Sequence, residues 1–225
     1  MLSKTMNEEI LVRVNKYSNK IKELNVIKRI ETNFPILVRQ TVSKKLAKAA
    51  KKLPKGLSLQ IDGGYRSPQV QKFLWDYRVK QLGLKKAKRL VGNPNIGIPG
   101  HTTGGAVDVS LLDKDSTEIN LSAPFTKYYD EQQLFSEKIT EEAQKLRLLL
   151  YKAMLSVGFA PHNEEYWHFS YGDGRWAKYY NKNVVYDQVE NPKPYYYPVL
   201  LRFLYKLNRR IYKIRNRILK VKINY

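Results

Sequence analysis

The sequence predicts an α+β fold: a small, mainly antiparallel sheet flanked by helices, followed by a basic amphipathic helix at the C-terminus. Three observations predict it. Helical periodicity recurs in several separate segments. Between them lie short alternating or continuously apolar runs bounded by glycine and proline. Those runs follow one another with hairpin-like returns, without the regular strand–helix alternation of a wound parallel sheet. With 225 residues and 43% hydrophobic content, the chain can build one domain with appendages.

Residues 7–31 read as the first helix. Asn7 caps it, Glu8 and Glu9 occupy its first turn, and Ile10, Val14, Tyr17, Ile21, Leu24 and Ile27 recur at spacings of three and four. A second helix, about 42–52, carries its lysines outward and stops before Pro54 and Gly56. Leu57 to Ile61 alternates apolar and polar residues as a half-buried strand does, and leads into Asp62-Gly63-Gly64-Tyr65-Arg66-Ser67-Pro68. Ser67-Pro68 can cap and begin a helix over 68–82, which offers Val70, Phe73, Leu74 and Tyr77 to a core. Arg66 therefore falls at a strand-to-helix corner.

Residues 83–100, rich in Gly, Pro, Asn and Lys, read as a long loop of the kind that often builds a site. Ala106 to Leu112 reads as a buried strand, and 113–135 as loop. A helix follows over about 136–157 with Leu146, Leu149, Leu150, Ala153 and Met154 on its apolar face and Gly158 just past its end. Phe159–Pro161 and 165–171 read as strands, and 175–181 as a short aromatic helix. The resulting division is a domain over 1–190, with an N-terminal helical region over 1–55 and a motif-bearing core over 56–182, and a tail over 191–225.

Cysteine is absent, which excludes disulfides and thiolate metal ligands. The first residues lack the apolar stretch of a secretory signal, and no window reaches the roughly 18 consecutive apolar residues of a membrane span. The expectation is a cytoplasmic protein. The net charge of +21 favours an anionic partner or, more plainly, a solvated lysine-rich surface. The tail holds ten of the Lys and Arg residues and no Asp or Glu. Leu200, Leu204, Leu207, Ile211, Ile214, Ile218 and Val221 recur there in a 4-3-4-3 pattern, as in a basic amphipathic helix over 198–223. Docking on the body is its first expected fate. An anionic inner membrane surface is second, at about 1 kcal/mol per basic residue. Nucleic acid is third, since no nucleic-acid motif accompanies the charge.

Only three histidines occur, and two sit at short fixed spacings from carboxylates: His101 seven residues before Asp108, and His168 three after Glu165. Two imidazoles and one carboxylate can hold zinc with a fourth position open for water, and a spare carboxylate beside that water can act as general base. On a regular strand Glu165 and His168 cannot share a face, so Glu165 is expected at the strand's start or at a bulge. His162 is a rival ligand.

The run Gly100-His101-Thr102-Thr103-Gly104-Gly105-Ala106-Val107-Asp108 resembles the first zinc motif of the D-alanyl-D-alanine dipeptidase family. That family is related to D,D-carboxypeptidases and phage endolysins. Glu165-Tyr166-Trp167-His168, with the Tyr171-Gly172-Asp173 after it, is similar to its second motif, and Gly64-Tyr65-Arg66 to a third segment. The resemblance covers roughly residues 55–180. It implies one zinc per chain held by His101, Asp108 and His168, with Glu165 as catalytic base and Arg66 stabilising the tetrahedral intermediate.

The implied reaction is hydrolysis of D-Ala-D-Ala to free D-alanine. D,D-carboxypeptidase or endopeptidase action on peptidoglycan stem peptides is the alternative. A reading of another class is a non-catalytic basic protein that binds anionic membrane or nucleic acid. Two departures bear on substrate choice. Pro99 stands where the family often has serine, and Phe125-Thr126 replaces a Phe-Asp pair, so Asp130 or Glu131 would have to meet the substrate's free amine.

Overall fold

The computed structural model describes residues 9–24, 35–122 and 129–190. The expected 198–223 helix and the Phe125-Thr126 pair lie outside the described residues. The strands in chain order are β1 (Leu11–Arg13), β2 (Ile21–Glu23), β3 (Leu37–Arg39), β4 (Ser58–Gly63), β5 (Ala106–Leu112), β6 (Ala160–Pro161) and β7 (His168–Ser170). The helices are α1 (Gln40–Lys52), α2 (Pro68–Leu82), α3 (Leu84–Leu90), α4 (Gly100–Thr103), α5 (Glu141–Leu155) and α6 (Gly174–Tyr180). A 3-10 turn spans Tyr129–Glu131.

Five strands form one sheet in the order β2-β4-β5-β7-β6, while β1 and β3 pair separately. Only β2 and β4 run parallel; the other pairings are antiparallel. The α+β class and the mainly antiparallel sheet are as the sequence predicts. One face of β4 and β5 presents Leu59, Ile61, Val107, Val109 and Leu111, which join a buried core with Val42, Leu46 and Ala50 of α1 and Leu150, Ala153 and Met154 of α5. Each of the Val, Leu, Ile and Met side chains among these contributes about 1.5–3 kcal/mol when fully removed from water. Alternation sends Gln60, Asp108 and Ser110 to the opposite face. That face carries the site.

The N-terminal reading is corrected. In place of the helix expected over 7–31, the described residues form two short strands joined by turns, closed by Lys16 N to Arg13 O (3.1 Å) and Ser18 N to Asn15 O (3.2 Å). Val12, Val14 and Ile21 are buried, whereas Ile10 and Tyr17, which belong to the same helical pattern, are exposed. Pairing with β3 and β4, which come later in sequence, overrides the local periodicity. The N-terminal region is thus strand-rich, with α1 its one helix among the described residues.

α2 spans the predicted residues, with Ser67 Oγ accepting from Val70 N and Pro68 in the first turn. Its buried face differs from expectation: Leu74 and Trp75 pack with Ala87 and Val91, while Phe73 and Tyr77 stack on each other in solvent. The segment 83–100, expected to be loop throughout, contains α3, which turns back against α2 after Gly83, at φ +77°.

Candidate metal centre

Each functional side chain is placed by a short local device. Pro99 precedes α4, Gly104 ends it in the left-handed region at φ 73°, and His101 lies on this single turn, 8% exposed. The chain then enters β5, whose register sets Asp108 directly opposite His168 of β7 and beside Gly63 of β4. His101 Nε2 lies 3.3 Å from Asp108 Oδ2, and His168 Nδ1 lies 3.0 Å from Asp108 Oδ1. One ligand atom from each of the three residues falls within 4.8 Å of the others, a cluster that could hold a metal ion.

The nitrogens facing away from the cluster are held too. His101 Nδ1 is 2.9 Å from the carbonyl of Gly64. A carbonyl only accepts, so Nδ1 carries the proton and Nε2 keeps its lone pair for the cluster. His168 Nε2 is 3.4 Å from Ser170 Oγ, which leaves Nδ1 to face inward. Such outer hydrogen bonds are the usual support of metal-ligating imidazoles. The donor set therefore fits a dication: one imidazole whose lone pair a backbone carbonyl orients inward, a second imidazole whose Nδ1 faces the cluster, and one carboxylate. Burial opposes ionisation of Asp108, but His101 and His168 outweigh it and hold the carboxyl well below its usual range. Burial lowers the His168 imidazole and so favours the neutral form that ligation requires.

Two glycines make room. A Cβ on Gly63 would lie 2.5 Å from Asp108 Oδ2, and one on Gly64 would lie 2.6 Å from Leu37 O. The Gly63-Gly64 pair thus lets β4 pass close behind the carboxylate while presenting the carbonyl that orients His101.

Glu165 stands before β7, in a turn closed by His168 N to Glu165 O (3.1 Å). Its Oε2 is 3.9 Å from His168 Nδ1, at the edge of the cluster and outside the ligand triangle. Burial, and next the charge of Asp108, push its carboxyl up to about 8. Arg66 is 6% exposed, and its charge is among those that favour ionised Glu165. Gln71 Oε1 receives Arg66 Nη1 at 2.9 Å and is itself held through Nε2 to Gly92 O at 2.8 Å; Arg66 N bonds His101 O at 3.0 Å. The structure thus brings all five sequence-singled residues into one neighbourhood.

His162 stays outside the ligand set. Its ring lies 5.6 Å from that of His168, and its Nδ1 accepts Glu164 N at 3.1 Å. Burial and the Arg175 charge lower it to about 3. Asp130 pairs with Lys138 at 2.6 Å on the exposed surface, whereas Glu131 is buried. Sequence reasoning missed the supporting groups. Ser170 could have been found, because a residue two after His168 on a strand shares its face. The Gly64 carbonyl and the segment that backs α4 carried no such signal: Val189 N bonds Thr102 O at 2.9 Å and Arg39 Nε bonds Thr103 O at 2.7 Å.

Residues 8–189 match the sequence profile of the family described as D-ala-D-ala dipeptidase. This chain belongs to that family. It is similar to the D-alanyl-D-alanine dipeptidase of Synechocystis sp. (36% identical over 95 residues, 37% of this chain and 38% of that one). It is also similar to the D-alanyl-D-alanine dipeptidase of Escherichia coli (29% over 114 residues, 51% of this chain and 55% of that one). A third relative is the bifunctional D-Ala-D-Ala dipeptidase and D-Ala-D-Ala carboxypeptidase VanXYC of Enterococcus gallinarum (29% over 131 residues, 56% and 64%). The matched stretches span from over a third to under two thirds of these relatives' lengths.

Proposed function

We propose that this chain is a zinc-dependent peptidase that hydrolyses the D-Ala-D-Ala dipeptide to free D-alanine. The observation that carries the reading is the His101–Asp108–His168 cluster with the Glu165 carboxylate 3.9 Å from one of its imidazoles, in a chain of the dipeptidase family. Two imidazoles and one carboxylate are the ligands of a hydrolytic zinc site with an open position.

Zinc bound there supplies Lewis acidity, which makes water a nucleophile near neutral pH and polarises the scissile carbonyl. The chain's own residues do the rest. Glu165 takes a proton from the attacking water and delivers it to the leaving amine, so that a hydroxyl joins the carbonyl carbon as the C–N bond breaks. A base in this role works best with a pKa near the working pH, and burial moves Glu165 in that direction. Arg66, held through Nη1 by Gln71, is the cation assigned to stabilising the oxyanion; losing such a partner costs on the order of 3 kcal/mol in the barrier.

A second reading, D,D-carboxypeptidase action on peptidoglycan stem peptides, draws support from the bifunctional relative and from Thr126 in place of an acidic residue. Comparing D-Ala-D-Ala with its N-acetylated analogue decides between them. A dipeptidase loses most of its kcat/KM when the free amine is blocked; a preference for the blocked peptide would favour the carboxypeptidase.

The catalytic unit is proposed to be residues 1–190, a boundary supported by the end of the family match at 189. The tail, 191–225, is proposed as a basic amphipathic accessory that docks on the catalytic body or, as the second reading, lies on the anionic inner face of the membrane. Among the described residues no helix is long and apolar enough to cross a membrane.

A further inference from the structure

Arg147 is the largest fully buried side chain among the described residues, at 1% exposure, yet it has no carboxylate partner in an ion pair there. Burying a guanidinium is costly unless its N–H groups are satisfied, so where they go shows what the residue does. Its Nε donates to Leu121 O at 2.7 Å and its Nη1 to Gln133 O at 2.8 Å, while Nη2 is buried without a hydrogen-bond partner among the described residues. These carbonyls belong to two separate stretches of backbone, twelve positions apart in sequence, which the guanidinium fork ties together. Its Cζ lies over the Tyr166 ring, 3.9 Å from the ring centre.

Tyr166 is the residue after Glu165. Its N–H donates to Gln132 O at 2.9 Å, next to the Gln133 carbonyl that Arg147 holds, and its hydroxyl is 3.5 Å from Ser122 Oγ, next to Leu121. A further rung, Leu134 N to Asn163 O at 3.0 Å, joins the same two segments. Glu165 itself sits in a turn, outside any strand ladder, so its position depends on what grips its neighbours. Arg147 projects from α5, which is packed into the core, and so supplies a rigid reference for that turn.

We infer that Arg147 is a positioning residue for the Glu165 turn, acting through the Tyr166 ring and the carbonyls of Leu121 and Gln133. The inference rests on the proposed role of Glu165 as base. Arg147 makes no contact with substrate or metal. Its effect is to hold the carboxylate at the edge of the metal cluster, where a misplacement of about 1 Å costs on the order of 100-fold in rate.

The test compares Arg147→Lys, Arg147→Met and Tyr166→Leu with wild type and with Tyr166→Phe, at equal zinc content. The fork and the stacking face are both lost in Arg147→Met, so kcat for D-Ala-D-Ala is expected to fall at least about tenfold, with KM within about twofold. Arg147→Lys cannot bridge two carbonyls in a plane and is expected to rescue little. Tyr166→Leu should resemble Arg147→Met, while Tyr166→Phe, which keeps the ring, should stay near wild type.

Hydrogen exchange is read on the same proteins. The amides of Tyr166 and Leu134 should exchange faster in Arg147→Met, with those of β5 unchanged. Wild-type kcat in a folded Arg147→Met, or acceleration spread evenly over β5 and the turn, would overturn the inference. An inactive wild-type protein would sink the functional reading alone, since the exchange pattern still decides the placement.

Discussion

The sharpest structural claim about the site is that Gly63 exists to give Asp108 room, and Gly63→Ala probes it. The added Cβ would stand 2.5 Å from Asp108 Oδ2 and 3.2 Å from Cγ, whereas ordinary contact begins near 3.4 Å. The carboxylate must retreat by the difference, about 0.9 Å, while ligand distances at a metal hold to within about 0.2 Å. Oδ2 is also the oxygen facing His101 Nε2. The residue's backbone lies outside the positive-φ region, so the collision alone is tested and strain adds nothing.

Zinc affinity should fall at least about 100-fold, the upper end for disturbing an outer support and the lower end for displacing a ligand. That corresponds to about 2.7 kcal/mol. Overpacking should cost about 1–3 kcal/mol of fold stability, which leaves a folded protein to titrate. Competition against a chromophoric chelator measures the affinity, with circular dichroism as the check on folding. Wild-type zinc affinity in a folded Gly63→Ala would refute the reasoning.

Asp62, on β4 with Gln60 Nε2 at 3.0 Å, is pushed by burial up to about 7 from an unfolded value of 3.8. A folded pKa above the unfolded one means that this group's contribution to stability is greatest below about pH 4, falls as pH rises toward 7, and is lowest beyond. Asp62→Asn removes that dependence and should stabilise the protein by a few kcal/mol at pH 8, with no gain at pH 3.5. Urea titrations at the two values would show it; equal effects at both would contradict the assignment. Ending the chain after Glu190 should leave hydrolysis intact and abolish binding to anionic vesicles if the tail lies on the membrane; loss of hydrolysis as well would point to docking on the body. Ending it after Asn183 should cost on the order of 3–5 kcal/mol of stability, because Tyr186 is 1% exposed and Val189 N holds Thr102 O. Equal stability of the two truncations would show that the 184–190 segment does not brace α4.

How much of this was legible in the sequence follows from where the information resides. The bounds of β5 and α2 were readable because each is written locally: a run of apolar residues over Ala106–Leu112, and a Ser67-Pro68 cap ahead of Leu74 and Trp75. The N-terminal strands were not, because Val14 and Ile21 satisfy a helical spacing by coincidence while their burial comes from β3 and β4. The turn formers Asn15, Ser18 and Asn19 were the available counter-signal. Phe73 and Tyr77 misled in the same way, since α3 covers a different stripe of α2 than the periodicity proposes. At the site, side-chain chemistry was legible from spacing and resemblance. The elements made of backbone, such as the Gly64 carbonyl behind His101 and the Leu121 and Gln133 carbonyls around Arg147, exist only once distant segments meet.

The central claim is that the His101–Asp108–His168 cluster with Glu165 hydrolyses D-Ala-D-Ala through a bound metal. Release of D-alanine by zinc-loaded wild type, chelator-treated wild type, the re-loaded protein and Glu165→Gln of equal zinc content tests it directly. The expected result is release that the chelator abolishes and zinc restores, with Glu165→Gln slower by about 100-fold or more. Release that survives complete zinc removal, or a Glu165→Gln variant as fast as wild type, would contradict it.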